Sequence, residues 1–215
     1  MLSGMPWTRI FGDINLLKLY QHKGFFSMTN RPNGKIIYLS GISSAGKTTL
    51  SRELQRTLPE PYLYLGIDLF IYMMPPGYWN EPPDGFTLEK SDRGTEIKTG
   101  PFAQDLGQAM LDTIENLART GRNLIVDDVM LSQDYLESCM AKLAGLSVLL
   151  VKVYCPLEVA EQREQARGDR DLGFVKFQYG LVESTHGYDL VVDTAANTTE
   201  ECARQIVARF EQSQF

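Results

Sequence analysis

Gly41-Ile42-Ser43-Ser44-Ala45-Gly46-Lys47-Thr48-Thr49-Leu50 decides how the rest of this chain is read. Four residues separate two glycines, and a lysine and two hydroxyl side chains follow at once, which is the spacing G-x-x-x-x-G-K-[ST]. Phosphate chemistry gives each position a reason. Gly41 and Gly46 permit backbone angles that aim successive N–H groups into one concavity. A helix beginning near Lys47 adds the positive end of its dipole. Lys47 can reach the β- and γ-phosphates of a nucleotide, and the Thr48 hydroxyl can ligate Mg²⁺. The whole stretch Gly41, Ile42, Ser43, Ser44, Ala45, Gly46, Lys47, Thr48 and Thr49 is therefore the expected phosphate-binding loop. Its flanks supply the context the motif requires. Lys35 to Leu39 is short, apolar and bounded by glycines, so it reads as a buried strand. Thr48 to Leu58 carries Leu50, Leu54 and Leu58 on one helical face and stops at Pro59 and Pro61.

Outward from the loop, strands and helices alternate. Tyr62 to Ile67, Asn123 to Val126, Leu146 to Tyr154 and Leu190 to Val192 read as strands. Helices are expected at Asp68 to Met74, Pro101 to Thr120, Ser132 to Leu143, Pro156 to Arg167, Phe174 to Ser184 and Thr199 to Phe210. Gly121 caps the longest of them. Each strand is a nearly continuous apolar run, which predicts an α/β fold with a five-stranded parallel sheet covered by helices on both faces. Residues 75–100 show no clear period and read as a long excursion, and 168–173 as a charged loop.

Three further clusters carry possible chemistry. Asn123-Leu-Ile-Val-Asp127-Asp128 places acids at the end of a strand. Asp127 is expected to orient water on Mg²⁺, with Asp128 a second candidate, a substrate contact or a helix cap. Asp68 ends the second strand and emerges at the same sheet edge as the loop. It could accept a proton from a substrate hydroxyl, and it could also cap the helix that follows. Arg163, Arg167 and Arg170 are four and three residues apart. Arg163 and Arg167 share one helical face and suit a transferring phosphoryl group, or pair with Glu161 and Glu164 on a solvated helix. Met73, Met74, Tyr78 and Trp79 could line an apolar substrate pocket or pack the core. His186, just before Gly187, could be an acid–base group but reads better as a turn residue.

Composition bounds the rest. A chain of 215 residues that is 43% hydrophobic supports one substantial core. A net charge of −6 argues against a protein that coats nucleic acid. Cys139, Cys155 and Cys202 lack metal or redox spacing and read as buried hydrophobes in a reducing, cytoplasmic setting. The apolar runs are too short for a membrane span. Residues 1–34 contain Trp7, Phe11 and Phe25 but not the layout of a signal peptide. They form an N-terminal extension of unknown role, and Met28 would make a natural beginning for the domain.

Several stretches in one order resemble the chloramphenicol phosphotransferase-like P-loop kinases. GISSAGKT at 41–48 resembles the family's phosphate loop. LPEPYLYLGID at 58–68 looks like its second strand with the catalytic aspartate, and IVDDVML at 125–131 resembles its acidic strand. VAEQREQARGDR at 159–170 looks like its lid segment, and HGYDLVVDT at 186–194 is similar to its last strand. The resemblance covers most of residues 35–210. It implies a P-loop NTPase fold of the nucleoside-monophosphate-kinase type with a lid, in a domain spanning 35–215. It implies ATP and Mg²⁺ as cofactors and phosphorylation of a small-molecule alcohol, in the founding activity the primary alcohol of chloramphenicol, an antibiotic resistance reaction. Asp68 matches the family's base. Lys47, Arg163, Arg167 and Arg170 are then expected to neutralise charge on the transferring group. No nucleic acid or membrane partner is expected, and a homo-oligomer is possible. The excursion at 75–100 departs from the family, as does Ile42, which replaces a small residue. The rivals are a kinase of another metabolite or nucleotide with the same fold, and a non-catalytic nucleotide-binding regulator.

Overall fold

A computed structural model describes residues 32–78, 84–167 and 172–212. At its centre lies β1 (Lys35–Ser40), every residue of which is buried except Lys35 at its exposed start. Strand alternation sends its side chains to two different cores. Ile37 and Leu39 join the first, with Leu50, Leu54 and Ile206. Ile36 and Tyr38 join the second, with Met110, Ile114 and Leu136. Each fully buried aliphatic side chain of this kind contributes roughly 1.5–3 kcal/mol over leaving it in water.

The other strands are β2 (Tyr62–Gly66), β5 (Asn123–Asp128), β6 (Ser147–Tyr154) and β7 (Leu190–Asp193), in the spatial order β2-β5-β1-β6-β7. All four pairings are parallel. Helices α1 (Lys47–Thr57) and α7 (Thr199–Gln212) bury their apolar faces in the first core, and α3 (Pro101–Arg119) and α4 (Gln133–Lys142) in the second. Helix α5 (Leu157–Arg167) leads towards α6 (Phe174–Glu183). The five-stranded parallel sheet with helices on both faces is therefore as the apolar pattern predicts. Ser132 caps α4, its hydroxyl accepting from the Tyr135 amide at 3.2 Å, and Gly121 follows α3 in the left-handed conformation, φ 81°. Among the described residues no helix is long and apolar enough to cross a membrane.

Two local expectations need correction. The second strand stops at Gly66, and the short helix α2 (Ile67–Ile71) starts one residue later. Asp68 thus lies in the first turn of α2 and not at a strand end. Nor does it cap that helix, since Gly66 occupies the N-cap in extended backbone. The excursion at 75–100 is also not formless. Residues 86–99 make an antiparallel hairpin, β3 (Phe86–Ser91) and β4 (Gly94–Thr99). Its register sets Phe86 opposite Thr99 and Leu88 opposite Ile97, so these four share one face. The other face carries Glu89 and Lys98, whose charged groups lie 2.6 Å apart. The period-two signal was present in Phe86-Thr-Leu-Glu-Lys and Thr95-Glu-Ile-Lys, but charged residues on the wet face obscured it.

Candidate active site

Parallel strands on either side of β1 bring the loops after β1, β2 and β5 to one sheet edge. The register pairs Leu39 with Asp127 and Gly66 with Asp127, so the phosphate-loop motif and the acidic strand end meet there. They border a cavity of about 1280 Å³, which Asp68, Arg163 and Arg167 also line.

The loop is held by main-chain geometry. Gly46 is the N-cap of α1 with φ 92°, a left-handed conformation that favours glycine. Ser44, φ 59°, is the one non-glycine with positive φ among the described residues. Gly41 serves a different purpose from the one the motif suggests. Its φ is not positive, but a Cβ there would sit 2.5 Å from the Val153 carbonyl oxygen of β6. Gly41 is needed because a neighbouring strand passes too close for any side chain. Ile42, the departure from the family pattern, is buried at 3% exposure in the first core and does not line the cavity.

Lys47 is also buried, and its ammonium group donates to the carbonyls of Gly41 and Ile42, both at 2.9 Å. Its nitrogen lies 3.6 Å from Asp127 Oδ1. The Thr48 hydroxyl donates to Asp127 Oδ2 at 2.8 Å, and the Tyr64 phenol donates to the same oxygen at 3.2 Å. Burial, then the charge of Asp127 and more weakly that of Asp68, pushes Tyr64 up to about 12. The phenol is therefore a donor at any physiological pH. Thr48 and Asp127 together present two hard oxygens within hydrogen-bond distance, a donor set that fits Mg²⁺. Among the described residues no group of three or more His, Cys, Asp or Glu side chains could hold a metal by itself.

Asp128 plays a different part from Asp127. It is 2% exposed and accepts three hydrogen bonds, from the Tyr38 phenol at 2.7 Å, the Tyr135 phenol at 3.1 Å and the Val129 amide at 2.7 Å. Burial outweighs these donors and holds its carboxyl above the usual aspartate range, while Tyr38 and Tyr135 are raised as well. Asp128 ties β1, β5 and α4 together beside the cavity. The cap expected at this position belongs to Ser132 instead.

The arginines divide. Arg163 donates to the Thr194 hydroxyl at 3.0 Å and to the Thr194 carbonyl at 2.8 Å, and the Thr194 hydroxyl donates in turn to the Ala45 carbonyl at 2.7 Å. One threonine thereby locks the guanidinium to the phosphate loop. Glu164 is not its salt-bridge partner. Its carboxylate instead accepts from the amides of Gly173 and Val175 at 2.9 and 3.1 Å, capping α6. Arg167 lines the same cavity. Arg170 lies outside the described residues.

Thr194 and Gln178 escaped the sequence reading. Gln178, buried on α6, accepts from the Ser43 amide at 2.7 Å. Nothing local marks it, whereas Thr194 at least closes the stretch HGYDLVVDT. The aromatic and methionine group separates too. Met74 packs in a small core with Phe86 and Ala103, Met73 is 62% exposed, and Tyr78 stacks on Phe102 with ring centroids 4.2 Å apart. None of the three lines the cavity, and Trp79 lies outside the described residues. The apolar lining comes instead from Phe86, Leu88 and Ile97 of the hairpin and Ala103 and Leu111 of α3. His186 is exposed, and its amide donates to the Gln133 side chain, as suits a turn.

The model of the chloramphenicol phosphotransferase-like proteins matches residues 34–211. The chain belongs to the chloramphenicol phosphotransferase-like family. A Mycobacterium tuberculosis member of the curated proteins, named for a proposed O-phosphotransferase activity, is 30% identical over 188 residues, which is 84% of each chain. Two solved structures establish the fold as that of a P-loop kinase. A Janibacter sugar kinase superposes with TM-score 0.61 at 15% identity, covering 84% of this chain and 96% of its own. The Mycobacterium tuberculosis APS kinase CysC, solved in complex with AMPPNP and APS, gives 0.60 at 15% identity, covering 84% and 99%. Membership makes this chain a phosphotransferase.

Proposed function

We propose that the protein is an ATP-dependent O-phosphotransferase that moves a γ-phosphoryl group onto the hydroxyl of an uncharged, largely apolar small molecule. The observation that carries this reading is a single cavity with two unlike ends. Every charged residue that lines it (Lys47, Asp68, Asp127, Asp128, Arg163 and Arg167) comes from the loop, α2, β5 or α5, and the described lining of the hairpin and α3 is uncharged. A charged or phosphorylated acceptor would need a cation on that second wall. The neutral wall supports an acceptor of the chloramphenicol kind over a nucleotide or sulfated one. The fold-mate solved with AMPPNP supports a nucleoside triphosphate as donor.

The chemistry asks little of the protein beyond placement and charge. With two of its three N–H groups on the Gly41 and Ile42 carbonyls, Lys47 keeps one for a phosphate oxygen. Asp68 takes the proton of the acceptor hydroxyl as that oxygen bonds to the γ-phosphorus and the bond to the ADP oxygen breaks. Lys47, Arg163 and Arg167 balance charge on the equatorial oxygens. Thr48 and Asp127 would hold Mg²⁺, which when bound supplies further positive charge against the phosphates. The three buried thiols fit a reducing, cytoplasmic location.

A panel of hydroxylated compounds that includes chloramphenicol tests this, read by ADP formation and product mass. At least one neutral alcohol should gain one phosphoryl group. Asp68→Asn should keep nucleotide affinity within a few-fold and lose about 10²–10⁴-fold in transfer rate. ADP release without any phosphorylated alcohol, or an unaffected Asp68→Asn variant, overturns the proposal.

A further inference from the structure

Helix α3 holds a glycine that none of the usual reasons explains. Gly107 sits in the middle of 19 helical residues, four after Ala103 and four before Leu111. Ala103, Met110, Leu111, Ile114 and Ala118 form the buried face of this helix, and Gly107 falls on the same stripe. Apart from proline, glycine is the poorest residue for a helix interior, because it loses most backbone freedom on ordering. Several other described glycines answer a local demand. Gly41 avoids a strand that passes 2.5 Å from where its Cβ would be, and Gly46 and Gly121 adopt positive φ. Gly107 does neither. A Cβ built on it would meet no atom within 4 Å beyond its own helix backbone.

An empty surround on the buried stripe of a helix is unusual, since interiors are close-packed. Here the reason is the cavity. Gly107 lines it, between Ala103 and Leu111 of its own helix, and the apolar hairpin face of Phe86, Leu88 and Ile97 lines it too. Gly180 of α6 also has open space around its would-be Cβ, but it is exposed to solvent and borders a separate, smaller and more open hollow beside Arg93 and Lys176, not this cavity. Open space at a half-buried position is the distinguishing observation.

We propose that Gly107 sets the size of acceptor the enzyme takes, its missing side chain leaving a notch in the apolar wall for the ring of an uncharged aromatic alcohol. The inference rests on the reading of this cavity as the acceptor site. It makes opposite demands on stability and on binding. Alanine at 107 restores helix propensity and touches nothing in the unliganded protein, so the fold gains. Leucine at 107 projects into the notch, so bulky acceptors lose while small ones do not.

The test uses the full chain with Gly107→Ala and Gly107→Leu. Chloramphenicol serves as the bulky aromatic alcohol and benzyl alcohol as the small one. Gly107→Ala should raise the thermal midpoint by about 1–4 °C. Gly107→Leu should raise KM for chloramphenicol about tenfold or more, leaving KM for benzyl alcohol within about threefold. A lower midpoint for Gly107→Ala, or an equal change in KM for both alcohols, overturns the proposal. One arm does not depend on turnover. In Gly107→Cys, the introduced thiol should react with pyrenylmaleimide in the native chain, located by peptide mass, while the buried Cys139, Cys155 and Cys202 stay unlabelled. Failure to label overturns the notch. Labelling in a chain that phosphorylates no alcohol supports the notch and defeats the acceptor reading instead.

Discussion

The two ends of the cavity are built on opposite principles. At the loop end, polar groups bond to one another around the buried Lys47 and Asp127. Lys47 holds its own loop, Thr48 and Tyr64 share one oxygen of Asp127, and Thr194 joins Arg163 to Ala45. At the hairpin end, apolar side chains of the hairpin and of α3, which follows it directly in the chain, face a space. A phosphate is the same in every substrate, so its site can be rigid and directional. If the apolar wall takes the acceptor, as proposed, its shape on a two-stranded hairpin can vary with the substrate while the phosphate end stays fixed. Such a hairpin has marginal stability of its own and takes its position from its neighbours. The neighbour here is the start of α6. The Thr95 hydroxyl donates to the Leu172 carbonyl at 2.6 Å and its amide to the Gly173 carbonyl at 3.0 Å.

If the loop end is a rigid electrostatic device, removing its cation should do the most damage. Lys47→Ala is expected to cut kcat about 10²–10³-fold with acceptor KM little changed, as steady-state kinetics would show. A comparable rise in acceptor KM would mean that the two ends are not separate. Thr194→Val keeps the shape and removes the hydroxyl between Arg163 and the loop. A fall in kcat of about tenfold is expected, with Thr194→Ser restoring most of it, and that rescue separates a bonding role from a packing one. Gly94→Ala attacks the other end. Gly94 has φ 113°, and a Cβ there would lie 2.3 Å from the Gly173 carbonyl oxygen. The hairpin must shift, so acceptor KM should rise about three- to tenfold while nucleotide affinity, measured by calorimetry, holds.

The smallest effect concerns Asp128. Its folded carboxyl is held above the ordinary value by burial. Its stabilising contribution is therefore complete below the unfolded value of about 3.9 and is lost as pH rises through the folded value. Asp128→Asn does not titrate. The denaturation midpoint of the parent should fall relative to that variant as pH is raised from about 4 to 7. A difference that stays constant with pH would mean that the carboxyl keeps its ordinary value in the fold.

Legibility followed the same division. The loop, its strand and helix, and the sheet of alternating apolar runs were readable because each is a local pattern of a few residues with one physical cause. Asp127 was readable because strand ends of a parallel sheet share an edge. The reason for Gly41 was not, since it depends on Val153 of β6, more than a hundred residues away. The hairpin was hidden by its wet face. Of the two readings open for the methionines, Met74 meets the core-packing one, and Leu88, Ile97 and Ala103 line the cavity. Gln178 gave no local sign of approaching the loop, and Thr194 only closed the stretch that resembles the family's last strand.

By itself, then, the amino-acid order determined the fold class, the phosphate loop and the reaction class that the family shares, because backbone angles, helix starts and strand periodicity are short-range properties. Only the tertiary structure decided which side chains Arg163, Glu164 and Asp128 bond to, which apolar residues wall the cavity, and that a mid-helix glycine faces open space. Those outcomes depend on what lies across a gap, and the far side of a gap is assembled from chain segments that no local pattern connects.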